Sequence, residues 1–262
     1  MKKNSTLLFL AVMAVCLVTG CSKNTYYQVY QTNPVVSDQI QQDNGLLVYA
    51  NDGCEVKYNF FANSGNAAFW FTNNTDSVVY ISLSESFFIL NGNASDYYQA
   101  REWTNTSSQT TNISSQSSKK SGTSMSGTSS TSTKTITFHE RGMIVIPPHS
   151  TKFITEYQIN SLFVEMCGVK ETPKKNKPAG LSFTAENSPI QFGNYITYTV
   201  GVKGIQKHID NRFYVSEIIN VNSKAMFEDY RDQDACGKFQ GEKKQRLRYN
   251  TPDRFYITYK KK

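Results

Sequence analysis

The chain has 262 residues, a formal net charge of +7, and 39% hydrophobic residues of which a third are aromatic. That apolar content is enough to bury a core and excludes a wholly disordered chain, while the modest charge excludes a dedicated nucleic-acid binder. Five cysteines are too few for a disulfide-built scaffold.

The first 20 residues form a separate unit. Lys2 and Lys3 precede an uncharged run, Leu7–Val18, and the small residues Thr19 and Gly20 lead into Cys21. A helix of that run rises about 18 Å, too short for a hydrocarbon core of about 30 Å. The order of charge, apolar run, small pair and cysteine resembles a bacterial lipoprotein signal peptide with a lipobox. The resemblance implies cleavage before Cys21 and acylation of that residue, and hence a membrane anchor of two or more chains. It leaves a chain of 242 residues and lowers the net charge to +5.

Residues 21–44 read as a lipidated tether: polar, with scattered tyrosines, Pro34 and one short strand at Gln28–Gln31. From residue 45 onward the pattern is period-two alternation broken by turn clusters. Leu46–Tyr49 is followed by the hairpin turn Asn51-Asp52-Gly53, where Gly53 supplies a positive φ. Cys54–Phe61, the turn Asn63–Asn66, and Ala67–Thr72 with Ala67, Phe69 and Phe71 on one face come next, leaving Trp70 on the other. Asn73–Asp76 turns again, Val78–Leu83 aligns Val79, Ile81 and Leu83, and Phe87–Leu90 is a short strand ending at Asn91-Gly92.

The segment 104–135 breaks this pattern. Of its 32 residues 21 are Ser or Thr, so it reads as a disordered loop that buries no apolar surface. Strands resume at Ile136–Phe138 and Met143–Ile146. Pro147–Ser150 turns, and Lys152–Ile159 places Phe153, Tyr157 and Ile159 in register. A second block aligns Ile196, Tyr198, Val200 and Val202, then Phe213–Val221, then Phe255–Tyr259. Ser223 can cap one short helix, Lys224–Arg231. The predicted fold is an all-β, antiparallel Ig-like β-sandwich over 45–262, with 104–135 as an insertion; two smaller domains meeting near Pro178 are the alternative.

With Cys16 removed and Cys21 acylated, Cys54, Cys167 and Cys236 remain. One disulfide fits an exported protein. Of three pairings Cys167–Cys236 is preferred, because both precede a glycine at an apparent element end. Cys54 reads as a small buried residue.

No metalloprotease, nucleophile-elbow, phosphate-loop, Cys-x-x-Cys or EF-hand motif is present, so no catalytic residue, metal or cofactor is assigned. Glu228–Asp234 is acidic but lacks calcium-loop spacing and reads as a solvated helix end. Nine Lys and Arg between Lys238 and Lys262 read as a solvated tail, with contact to anionic lipid headgroups as the sharper alternative. Tyr97, Tyr98 and Trp103 beside Arg101 form an aromatic group suited to stacking on a sugar or peptide, against packing at a sandwich rim.

Phe69–Asp76, Ser86–Gly92, Ile144–Pro148 and Phe255–Ile257 resemble segments of uncharacterised envelope lipoproteins of gut anaerobes. The resemblance implies a lipid-anchored envelope protein and carries no catalytic residue. Surface-directed lipoproteins of those bacteria often have an acidic run after the acylated cysteine. Here Ser22-Lys23-Asn24-Thr25 departs from it, which implies the periplasmic side of the outer membrane rather than the surface. The expected function is a non-enzymatic module that binds an envelope protein or component. A surface glycan-binding adhesin and a hydrolase with two isolated carboxylates are the alternatives.

Overall fold

A computed structural model describes residues 25–51, 53–115, 126–174 and 177–260. The signal segment, Cys21, Asp52 of the first turn and residues 116–125 lie outside the described residues. The strands in chain order are β1 (Thr25–Pro34), β2 (Ile40–Asp43), β3 (Leu46–Asn51), β4 (Cys54–Tyr58), β5 (Phe69–Asn73), β6 (Val79–Leu90), β7 (Asn93–Asp96), β8 (Glu102–Ser115) and β9 (Ser126–His139). They continue as β10 (Met143–Ile146), β11 (Ser150–Ile154), β12 (Ala179–Ser182), β13 (Gln191–Val200) and β14 (Lys207–Asn222). A single α-helical turn among the described residues, α1 (Ser223–Met226), leads to β15 (Phe227–Gln233), β16 (Phe239–Leu247) and β17 (Arg254–Lys260).

The fold is an all-β sandwich. One sheet runs β10-β6-β13-β14-β1-β17, with β12 on β14 and β7 on β6; the other runs β11-β5-β4-β3-β2. All strand pairings among the described residues are antiparallel, as expected for short strands that alternate between a core and a solvent face. The predicted alternation holds where turns are short. Val56, Tyr58, Phe71, Val79 and Ile81 are buried, and their neighbours in sequence are not. The core joins the sheets through aromatic contacts: Tyr58 meets Phe213 edge-on at 5.3 Å, and Phe71 meets Tyr198 at 5.5 Å. Gly53 has φ +81°, as the turn requires, and a β-carbon at this position would press into the Thr75 side chain.

Polar residues fix the register of this core. Asn211 donates to the Tyr58 hydroxyl at 2.8 Å and Asn194 donates to the Ala67 carbonyl at 3.0 Å, each crossing between sheets. The buried Asn73 amide donates to the Ser77, Ile146 and Pro147 carbonyls, locking one turn onto the next. A slipped strand would strand these groups without partners at a cost of about 1–3 kcal/mol each.

Several expectations are corrected. The tether is not one: residues 25–34 form β1, paired with both β14 and β17. Gln28 makes the segment look polar, yet it is fully buried and fully partnered. Its amide donates to Asn220 Oδ1 and the Val164 carbonyl, each at 2.9 Å, and its oxygen accepts from the Val164 N–H at 2.8 Å. Tyr30 stacks on Phe255 at 4.5 Å. Phe87–Leu90 is the continuation of β6, which passes through a bulge at Ser86. The Ser86 hydroxyl there accepts the Thr197 N–H at 3.0 Å and so replaces a ladder bond.

The predicted helix shrinks to α1. Asn222, not Ser223, caps it, accepting from the Lys224 N–H at 3.0 Å. Phe227 then turns to extended backbone because β16 offers Arg246 and Lys244 opposite Glu228 and Tyr230, a partnership that local periodicity does not encode. Phe153 faces outward and Ile154 inward, reversing the expected register, and Val202 is almost fully exposed in a turn. The segment expected to be disordered is paired over its described residues: β8 and β9 form a 14-pair ladder from Glu102↔His139 to Ser115↔Ser126. Its side chains bury nothing at the root, as the composition predicts. The β-branched threonines nonetheless favour extended backbone, and each strand satisfies the other.

Candidate functional site

The root of the β8–β9 ribbon gathers the chemistry that the sandwich does not consume. Arg101 enters it from the loop after β7 and grips two carboxylates. It donates from Nη2 to Glu140 Oε1 at 2.5 Å and from Nη1 to Glu156 Oε1 at 2.6 Å. Glu140 Oε2 also accepts the backbone N–H groups of Gln99 and Arg101 at 2.9 and 3.2 Å, and the Glu140 N–H donates to the Arg101 carbonyl at 2.7 Å. The Glu140 side chain is only 7% exposed, so these bonds replace nearly all of its hydration. The Arg101 guanidinium holds the Glu140 carboxyl below its ordinary pKa, with the two backbone N–H groups acting the same way against desolvation.

Above this clamp lies an apolar patch. Trp103 and Phe138 are directly opposite across the ribbon, and Ile136 follows on the same face. All three are among the exposed large hydrophobic residues, Trp103 at 49% and Phe138 at 51%. The Arg101 guanidinium lies 5.8 Å from the Trp103 ring centroid, within cation–π range. Glu102 and His139 pair at 3.0 Å on the opposite face. Between these root pairs and the described ends only Lys134 is charged, and the ladder shows no register shift.

Beside the clamp, Leu83, Tyr97, Ile144 and Phe153 line a cavity of about 200 Å³ that Arg101, Glu140 and Glu156 close. It is smaller than the usual range for ligand pockets, about 300–1,000 Å³. Glu140 is unsuited to general-acid work, because the Arg101 guanidinium keeps a proton off it. Next to it, the edge strands β10 and β11 expose Met143, Val145 and Phe153, the last packed on Trp70 at 4.8 Å.

Of the aromatic group expected from the sequence, Trp103 and Arg101 come together, whereas Tyr98 is half-buried and packs against the core. Tyr97 does not belong with them: it is core, donating to Asn194 Oδ1 at 2.8 Å, and burial raises its hydroxyl pKa. Phe138, Ile136, Glu140 and Glu156 went unrecognised. The signal for Ile136, Phe138 and Glu140 is the pair of Ser/Thr-rich runs, 104–115 and 126–135, that pair as β8 and β9. Cys167 and Cys236 are both exposed free thiols, so the preferred disulfide is not formed; Cys54 is buried as expected. The three histidines engage Glu102, Asp76 and Thr197. The acidic run 228–234 lies in β15 and the turn that follows it, where Glu228 pairs with Arg246 and Asp232 with Lys244. Among the described residues no group of three or more His, Cys, Asp or Glu is arranged to hold a metal, and no helix is long and apolar enough to cross a membrane.

No protein-family profile, curated protein or solved structure matches this chain.

Proposed function

We propose that this is a non-enzymatic, lipid-anchored envelope protein that presents the β8–β9 ribbon to an envelope partner protein, with the sandwich as its rigid base. The observation that carries the reading is the exposed Trp103–Phe138 pair, seated on a ribbon whose root is fixed by the Arg101 clamp. Rigid aromatics at such a root lose little side-chain entropy on contact, and the uncharged strand edges beyond them offer unpaired backbone groups to an extended segment. Cys21, acylated, supplies the anchor, on the periplasmic side of the outer membrane.

A photo-crosslinking residue at position 138 in whole cells tests the contact. A discrete crosslinked protein that disappears with Trp103→Ala is expected; crosslinks to lipid alone, or none, would sink the reading. Cys21→Ser tests the anchor, with loss of palmitate labelling and release from the membrane fraction expected.

One observation favours a second reading, glycan binding. Asn105 lies on the same ribbon face as Trp103 and Phe138, placing an amide beside an aromatic platform. Retention on polysaccharide affinity gels that Trp103→Ala abolishes would decide for it.

A further inference from the structure

The fold brings basic residues that are far apart in sequence to one end of the larger sheet. Thr25, which opens β1, pairs with Lys260 at the end of β17. Tyr26 pairs with Asn222, the last residue of β14, and Ala179, the first of β12, pairs with Asn220. The loop before β12 is tied to the same end. The Asn220 amide donates to the Lys170 carbonyl at 3.1 Å, and the Tyr259 hydroxyl donates to the Glu171 carbonyl. Lys224 follows directly in α1.

Lys170, Lys174, Lys177, Lys224 and Lys260 are therefore neighbours at one pole, and all five are exposed. None forms an ion pair with a described residue, whereas Lys244 and Arg246 of β16 and Arg248 just after it do: Arg246 and Arg248 reach Glu228, and Lys244 reaches Asp232. Residues 160–178, which lead into β12, carry two acidic residues, Glu165 and Glu171.

This pole is also where the chain arrives from Cys21. Four residue steps separate Cys21 from Thr25, a reach of at most about 14 Å. A domain anchored through Cys21 has this end, and no other, held at the headgroups. We propose that the lysine pole is a docking surface for an anionic phospholipid membrane, binding lipid phosphates and orienting the domain on the bilayer. Its orientation rests on the reading of Cys21 as an anchor; its charge does not. Each lysine near an anionic surface strengthens partitioning by about fivefold, an effect that falls off within a Debye length and so requires the short connection.

The chain beginning at Ser22 keeps every strand, since β1 starts at Thr25, and it carries no lipid. It is mixed with vesicles of equal parts phosphatidylglycerol and phosphatidylcholine, or of phosphatidylcholine alone, and sedimented. Binding to the anionic vesicles only is expected. The triple variant Lys170→Glu, Lys174→Glu, Lys177→Glu should weaken it on the order of a hundredfold or more. Lys134→Glu, on the ribbon, should leave it unchanged. Equal partitioning onto both vesicles, or an unaffected triple variant, overturns the proposal. Release by millimolar inorganic phosphate, but not by sodium chloride of matched ionic strength, also overturns it, assigning the lysines to a discrete anion site. Palmitate labelling of Cys21 in the full chain reports separately on the anchor.

Discussion

Two ribbons leave the sandwich, and they are built on opposite rules. β15–β16 is rooted in apolar packing: Met226 is fully buried among Val29, Phe61, Val221 and Ala225, with Phe227 and Leu247 against them. Farther out it carries charges of both signs, three ion pairs on Glu228 and Asp232, and a register shift between Tyr230 and Asp232. Those are the devices by which proteins blunt an exposed strand edge. β8–β9 reverses every term. Its root is an ion cluster, its shaft is almost uncharged, and its ladder is unbroken. A long edge without such devices is open to pairing with an extended segment, and it is on this contrast that we propose β8–β9, rather than β15–β16, as the contact surface.

Substitutions at the two roots separate these rules. Met226→Ala should cost most, about 3 kcal/mol in urea denaturation, because it opens a cavity where β15–β16 joins the core. Arg101→Met should cost less, about 2 kcal/mol at neutral pH, because it leaves the Glu140 carboxylate desolvated and unpaired while the arginine it removes was itself partly solvated. Its cost should depend on pH in a fixed direction. Glu140 has a lowered pKa in the folded state, so its contribution is present above the ordinary carboxylate range and lost as pH falls through the folded value. The gap between Arg101→Met and the parent should therefore close on acidification below about pH 4.5; a constant gap would mean that Arg101 acts by packing alone.

Trp103→Ala should change stability by no more than about 0.5 kcal/mol, since the ring is half exposed, while removing the partner crosslink. Asp232→Asn on β15 should shift stability by only about 0.3 kcal/mol, as expected for an exposed pair. An Asp232 effect larger than that of Arg101 would erase the contrast between the ribbons.

What the sequence disclosed follows the same division. Where a strand sits between short turns with one dry face, alternation alone reveals it: Phe69 and Phe71, Val79 and Ile81, and the buried Cys54 were all readable. Where a partner far along the chain supplies the compensation, they were not. Gln28 looks like tether because its partners are Asn220 and Val164. Glu228–Asp232 looks like a helix end because Arg246 and Lys244 lie across a turn. The candidate site was half legible: Trp103 and Arg101 stood out as an aromatic beside a cation, whereas Phe138 and Glu140 became their neighbours only through a ladder that a Ser/Thr composition disguises.

The position of β1 sets the order in which the molecule is completed. Residues 25–34 lie between β14 and β17, so the earliest strand to emerge has neither neighbour until residues 213–222 and 254–260 exist. Tyr30 waits for Phe255 to cover it. Such long-range closure is slow relative to local hairpins. The chain stays unlocked until nearly its last residues are available, and trimming it before residue 254 would leave β1 with a bare edge from Thr25 to Gln31.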